Sequence, residues 1–141
     1  MTDLPGVNVW LALVEENHVH HRAAQEYWQN QASPTVAFCR VSMLGVLRLS
    51  THPRVLSRPL TSTEAWDVYQ KDLGEPDVCL LPEPATLDAA FRSLSSARAF
   101  AHHHWTDAYI AAFAISANCR VVSFNANFER FNSIDFLHLN P

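Results

Sequence analysis

The chain has 141 residues, 48% of them apolar and 17% charged, which suits one domain spanning residues 1–141 with a sizeable core and leaves too little for a second. A formal net charge of −4 argues against a protein that coats nucleic acid by bulk charge, and no apolar run approaches the ~20 residues needed to cross a bilayer. Cys39, Cys79 and Cys119 are odd in number, far apart and set in apolar runs, the pattern of buried free thiols rather than of disulfides or a zinc site. With no basic leader at Met1-Thr2-Asp3-Leu4-Pro5, an unanchored cytoplasmic protein is expected.

In chain order, Val9 to Val14 reads as a strand end turning into a helix. An amphipathic helix then opens at Asn17 or His18 and runs to about Asn30, with Ala23, Ala24, Tyr27 and Trp28 on one face. Thr35 to Cys39 is a continuous apolar run, as in a strand covered on both faces, and Val41 to Ser50 is a helix whose apolar face includes Leu44, Val46, Leu47 and Leu49. Pro53 and Pro59 mark a connection, after which Thr61 and Glu64 have the spacing of a capping box. Val78 to Leu81 reads as a strand and Pro84 to Arg98 as a helix. A very apolar helix from Trp105 to Asn118 follows, then a buried strand over 120–124 and a last, partly exposed strand over 134–139. Short apolar strands alternating with helices predict a parallel-rich sheet with helices on both faces, because parallel neighbours need crossovers.

Charge is unevenly placed along this frame. From Gln31 to Thr63 there is no acid, while Arg40, Arg48, Arg54 and Arg58 fall there; from Glu64 to Asp88 seven acids face Lys71 alone. A basic face of this kind can dock a polyanion locally, although scattered arginines also simply solubilise helices.

In such sheets the functional residues gather beyond the carboxyl ends of the strands. The segments that meet this rule are Gly6-Val7-Asn8, Asn125-Ala126-Asn127-Phe128, and Thr106-Asp107 at a nearby helix start. Together they supply one carboxylate and three amides. Asp107 stands just after Thr106 at the head of a helix too apolar to lie on the surface. It is either an acid held at the edge of the core for metal chemistry, or a charge that decorates the positive helix end beneath a Thr106 cap.

With these segments in view, the chain resembles a known family over nearly its whole length. The matching pieces are Leu4-Pro5-Gly6-Val7-Asn8-Val9-Trp10-Leu11-Ala12-Leu13, His18 to Ala24, Phe38-Cys39-Arg40-Val41 with Leu44 to Leu49, Trp105-Thr106-Asp107-Ala108, and Ser123 to Phe131. In this order they resemble the PIN-domain ribonucleases, and in particular the VapC-type toxins of bacterial type II toxin–antitoxin pairs. The resemblance implies a three-layer α/β PIN-like domain with a mainly parallel central sheet. It also implies an endoribonuclease that activates water on Mg²⁺ or Mn²⁺, a small antitoxin partner, an RNA substrate and a homodimer.

Carried over residue by residue, it makes Asp107 a metal ligand and Asn8 an orienting amide. Asn125 becomes a weak ligand or water positioner, and Arg40 and Arg48 become RNA phosphate contacts. Gly6 stands where such proteins carry the first-motif Asp, a principal metal ligand. The second family acid should fall near Met43 to Gly45, where there is none. Asp3 is no substitute for the residue-6 acid, because at that position along an extended chain it points to the other side of the strand.

The expected function is therefore a metal-dependent endoribonuclease toxin that is impaired or inactive in this form. The competing reading is a non-catalytic PIN scaffold that binds an antitoxin or RNA, and a third takes Gly6 as an introduced inactivation of a toxin. The expected antitoxin contact surface includes Trp10, Leu13 and Trp28 and the acid-free stretch from Arg40 to Arg58. His18, His20, His21 and the run His102-His103-His104 lack zinc-site spacing and read as surface or packing residues, and Trp10, Trp28 and Trp66 as core or interface anchors.

Overall fold

The computed structural model describes residues 1–140. Five strands, β1 (Thr2–Pro5), β2 (Thr35–Phe38), β3 (Val78–Leu80), β4 (Cys119–Ser123) and β5 (Asp135–His138), form one sheet in the order β3-β2-β1-β4-β5, every pair parallel. Six helices make the crossovers: α1 (Val7–Val14), α2 (His21–Asn30), α3 (Arg40–Ser50), α4 (Ser62–Leu73), α5 (Leu87–Ser95) and α6 (Trp105–Ala117). This is the three-layer α/β arrangement that the alternation of apolar runs predicts. Among the described residues no helix is long and apolar enough to cross a membrane.

The period-2 alternation of each strand sorts its side chains to two cores. Leu4, Ala37, Cys119 and Val121 pack toward α5 and α6. Val36 and Phe38 turn to the opposite face, where Phe38 stacks on Trp10 at 3.9 Å and meets Tyr69 edge-on. Val122 lies on that face as well, with Val9 and Tyr27 of α1 and α2. Buried Ala108, Ala111, Ala112 and Ala114 leave α6 without bulk on several sides, so it can lie close to the sheet and to α5.

Several boundaries differ from the sequence reading for identifiable reasons. Val9 to Val14 lies wholly in α1; the strand is the shorter Thr2–Pro5, and the chain turns at Gly6. A central strand buried on both faces shows no alternation, so its end cannot be told from a buried helix by pattern alone. The second helix starts at His21 rather than Asn17 or His18, and α5 occupies only Leu87–Ser95 of the expected 84–98. Leu44, assigned to the apolar face of α3, is 61% exposed, and Ser42 and Met43 are buried in its place. The Thr61/Glu64 capping box forms in both directions, with bonds of 3.0 and 3.1 Å. All three cysteines are free.

One buried polar group organises the amino end of the sheet. Asp3 is fully buried and accepts hydrogen bonds from Tyr27 Oη (2.7 Å), Ser33 N (3.0 Å), Ser33 Oγ (2.7 Å), Arg120 Nε (2.9 Å) and Arg120 Nη2 (3.0 Å). Arg120 lies directly opposite Asp3 in the β1–β4 ladder and also donates from Nη2 to Gln31 O (2.9 Å). Burial pushes the Asp3 pKa up, but the donors from Arg120, Ser33 and Tyr27 outweigh it and hold the carboxyl below its ordinary value, while Tyr27 is raised. A buried charge pair with every lone pair engaged is costly to break on one side only.

Asp72, near the end of α4, is the opposite case: its Oδ2 is buried without a partner. Burial first, and then the Glu75 charge, push its pKa up to about 6, against the pull of Lys71.

Two stability outcomes follow from this contrast. Asp3→Ala should cost about 3 kcal/mol in urea unfolding, because it leaves the Arg120 guanidinium without its partner. Asp3 contributes fully above its ordinary pKa of 3.8 and loses its contribution as pH falls through the lower folded value. Asp72 has the reverse sign: the fold resists its ionisation, so its penalty is complete above about pH 6 and fades as pH falls toward 3.8. Asp72→Asn should therefore raise the Tm by a few degrees at pH 8 and have little effect at pH 4; an equal shift at both would refute the assignment.

Candidate active site

The carboxyl ends of β1 and β4 and the amino ends of α1 and α6 enclose a cleft of ≈ 530 Å³, whose lining includes Gly6, Asn8, Arg48, Asp107, Ser123 and Asn125. The sequence-predicted site residues are thus brought together, apart from Arg40 and Asn127, which lie outside the lining. Arg40 opens α3 at the surface, outside the lining, and its charge acts on Tyr69 of α4.

Asp107 sits in the first turn of α6, where an acid is favoured by the helix dipole. The helix begins at Trp105 with His104 as its N-cap residue, and no side chain caps it, so Thr106 is not the expected cap. Asp107 is half-buried, and burial raises its pKa, opposed chiefly by the Arg130 charge. A desolvated carboxylate facing a cleft is an acid that gains from a cation.

The amides are more engaged than the sequence suggests. Asn8 donates from Nδ2 to Ser123 Oγ (3.1 Å), while its Oδ1 accepts from Ser123 Oγ (3.4 Å) and Phe124 N (3.5 Å). Ser123 Oγ in turn accepts from Asn125 N (2.9 Å). Asn8 therefore clamps α1 to the end of β4. Asn125 Oδ1 accepts from Asn127 N (2.9 Å), capping the short turn over Ala126–Arg130. Ser123, 1% exposed, is a site residue that the sequence reading missed. The available signal was a polar side chain closing an otherwise apolar strand.

The two glycines of the cleft behave differently. Gly6 has φ −67° and ψ 165°, open to any residue, and a Cβ added there would meet nothing closer than Asn8 Oδ1 and Ser123 Oγ at 3.6 Å. An Asp at residue 6 has both backbone and space. At Gly45 a Cβ would stand 2.5 Å from Val7 Cγ2, so α3 and α1 approach through that glycine and a side chain there would require the Val7 side chain to shift.

These donors do not fit the divalent ion that the resemblance implies. One carboxylate, two amides whose oxygens already accept hydrogen bonds, and a clamped serine carry far less charge than a hard-cation site needs. Among the described residues no three His, Cys, Asp or Glu side chains converge to hold a metal. The histidines pack locally, as expected: His18 Nδ1 accepts from His20 N, the His20 ring stacks on Phe124 at 4.4 Å, and His104 Nδ1 accepts from Ala101 N.

Known proteins resemble this chain along its whole length. The PIN domain family model matches residues 7–134. Ribonuclease VapC41 of Mycobacterium tuberculosis is 37% identical over 134 residues, covering 91% of this chain and 92% of that protein; Ribonuclease VapC38 of the same organism is 27% identical over 128 residues, covering 85% and 82%. In fold, the chain is similar to the Mycobacterium tuberculosis toxin VapC20, which cleaves the sarcin–ricin loop, with a TM-score of 0.70 at 16% identity over 91% of this chain and 93% of that one. It is similar also to VapBC2 of Rickettsia felis bound to a promoter DNA fragment, with a TM-score of 0.69 at 14% identity over 99% and 100%. Likeness that spans most of the chain and extends from sequence to overall fold settles the matter: this protein belongs to the PIN-domain family.

Proposed function

We propose that the chain is the toxin of a toxin–antitoxin pair, an endoribonuclease of VapC type whose hydrolytic site is short of one acid at Gly6 and is impaired as it stands. The observation that carries this reading is the cleft itself. It keeps Asp107, the Asn8–Ser123–Asn125 clamp and Arg48 in one place, and it has space for a carboxylate at the one cleft position where the family's first acid is missing.

In this reading each residue has a definite task. Arg48, on the α3 wall, meets an RNA phosphate that enters the cleft. The Asn8 clamp keeps the carboxyl end of β4 at a constant distance from α1, so that Asp107 and residue 6 face the same point. A divalent cation in a complete site would acidify water and offset phosphate charge; the donors present do not supply that site, and no hydrolytic step is assigned to them. Arg40, exposed outside the cleft lining, contributes only to the surrounding positive field.

The toxin acts in the cytoplasm as a homodimer restrained by its antitoxin. The antitoxin surface needs revision from the sequence expectation, because Trp10 is only 1% exposed and stacked on Phe38. Exposed Leu44 and Trp66, on either side of the α3–α4 groove within the basic stretch and just beyond it, suit an apolar partner segment better. The lone carboxylate favours one competing reading, a scaffold that binds antitoxin or RNA without cutting.

Gly6→Asp separates the two. We expect a folded protein that cleaves total RNA with Mn²⁺, at a rate more than ~100-fold above wild type, since even loss of outer-shell support for a metal costs 10–100-fold. EDTA should block it, and expression should arrest growth unless the antitoxin is co-expressed. A folded Gly6→Asp protein that neither cuts RNA nor slows growth would leave only the binding scaffold.

A further inference from the structure

A second pocket, of ≈ 290 Å³, is linked to the cleft by the turn Ala126–Arg130, which gives Phe128 to the cleft and Arg130 to the pocket. Leu94, at the end of α5, and Phe100 and Phe131 wall it, and Arg130 and Asn132 stand on its polar side. Arg130 is exposed and its charge reaches Asp107, so the pocket and the cleft share one electrostatic field.

The chain around this pocket has a distinct composition. Residues 89–106 contain no acid, yet carry Arg92, Arg98, His102 and His103, all exposed. Two acids of the neighbourhood stand apart: Glu83 accepts from Tyr109 Oη at 2.6 Å, and Asp88 lies in the first turn of α5, far from the pocket end of that helix. Glu129, exposed next to Arg130, is the acid that remains near the rim.

Trp105, two residues before Asp107, leaves 51% of its surface in water. Its ring rests against Phe100 at 4.8 Å and Phe91 at 5.7 Å, so it is held as a platform rather than free to swing. A supported aromatic surface beside an apolar pocket and a cationic rim is the combination by which proteins hold unpaired bases: the rings stack, and the cations follow the backbone.

We propose that Trp105 and the Phe100–Arg130 pocket form a subsite for single-stranded RNA. One unpaired base is taken by the aromatics, and Arg130 contacts the phosphate that joins this nucleotide to the one beside Asp107. The strand would then run from Arg48 on the cleft wall to Arg130 at the second pocket. This inference rests on the nuclease reading of the cleft, and names the form of its substrate. An acidic or apolar protein segment is the rival occupant.

The test is fluorescence anisotropy of a short unstructured oligoribonucleotide with the full chain in EDTA, over a range of salt, so that binding is read without turnover. Trp105→Ala should weaken binding about fivefold or more, the low end for loss of one base–aromatic stack. Arg130→Gln should weaken it and lower the log–log salt slope by ~0.7, one single-strand phosphate contact. Arg22→Gln, exposed on α2 at the opposite face of the sheet, should change little. Because Trp105→Ala could disturb α5, 4-thiouridine RNA cross-linked to wild type provides an independent readout, with adducts expected at Trp105 or Phe100.

Wild-type affinity in both folded variants, with adducts elsewhere, overturns the subsite; if Arg48→Gln still weakens RNA binding, the cleft reading survives that failure. No RNA binding by wild type overturns both. Loss of antitoxin affinity with RNA affinity intact in Trp105→Ala assigns the surface to a protein partner and overturns the proposal as well.

Discussion

The buried Asp3 carboxylate is the contact on which the arrangement of the sheet depends. Its donors come from β4, from α2 and from the turn that leads into β2, so one group ties three separate segments to the central strand. Apolar packing alone would accept a strand slipped by two residues, since the same side chains would still face the same cores. The paired Asp3 and Arg120 accept only the register seen, because any other leaves a buried charge alone. With the amino end of β1 held against β4, the carboxyl ends of the two strands emerge side by side, and Gly6 and Ser123 meet across Asn8. The site is a consequence of a contact at the other end of the same strands.

Asp3 also explains why the acid missing from residue 6 is not replaced from nearby. All its hydrogen-bonding capacity is engaged in the fold, and its side chain lies on the α2 face. Gly6 and Gly45 differ in what each would accept. At Gly45 a Cβ would meet Val7 Cγ2 at 2.5 Å, so a side chain there requires that Val7 shift. At Gly6 neither backbone nor neighbours resist a Cβ. On the proposed reading, an acid at residue 6 is a local addition to an intact frame.

Much of this was legible in the sequence, within limits that have physical causes. Strand and helix order followed from apolar runs and breakers, and the Thr61/Glu64 cap from its spacing. That Gly6, Asn8, Asp107 and Asn125 share one cleft followed from the rule that parallel sheets gather residues at the carboxyl ends of strands, while their roles came only from the family resemblance. The β1–α1 boundary was not legible, because both elements are buried and apolar there. Nor were the partners of Asp3 and the roles of Ser123, Gly45 and Arg130, since these depend on contacts between residues far apart in the chain, as with Asp3 and Arg120. Arg40 and Arg48 looked equivalent in sequence; only Arg48 lines the cleft, while Arg40 is exposed at the head of α3.

The central claim is that the cleft is a metal site lacking one carboxylate, and Mn²⁺ titration by calorimetry or paramagnetic resonance tests it most directly. Wild type should bind weakly and without clear stoichiometry, and Gly6→Asp should bind one ion at least ~10-fold tighter. That gain should vanish in Gly6→Asp/Asp107→Asn. Tight, stoichiometric Mn²⁺ binding by wild type that Asp107→Ala abolishes would contradict the account.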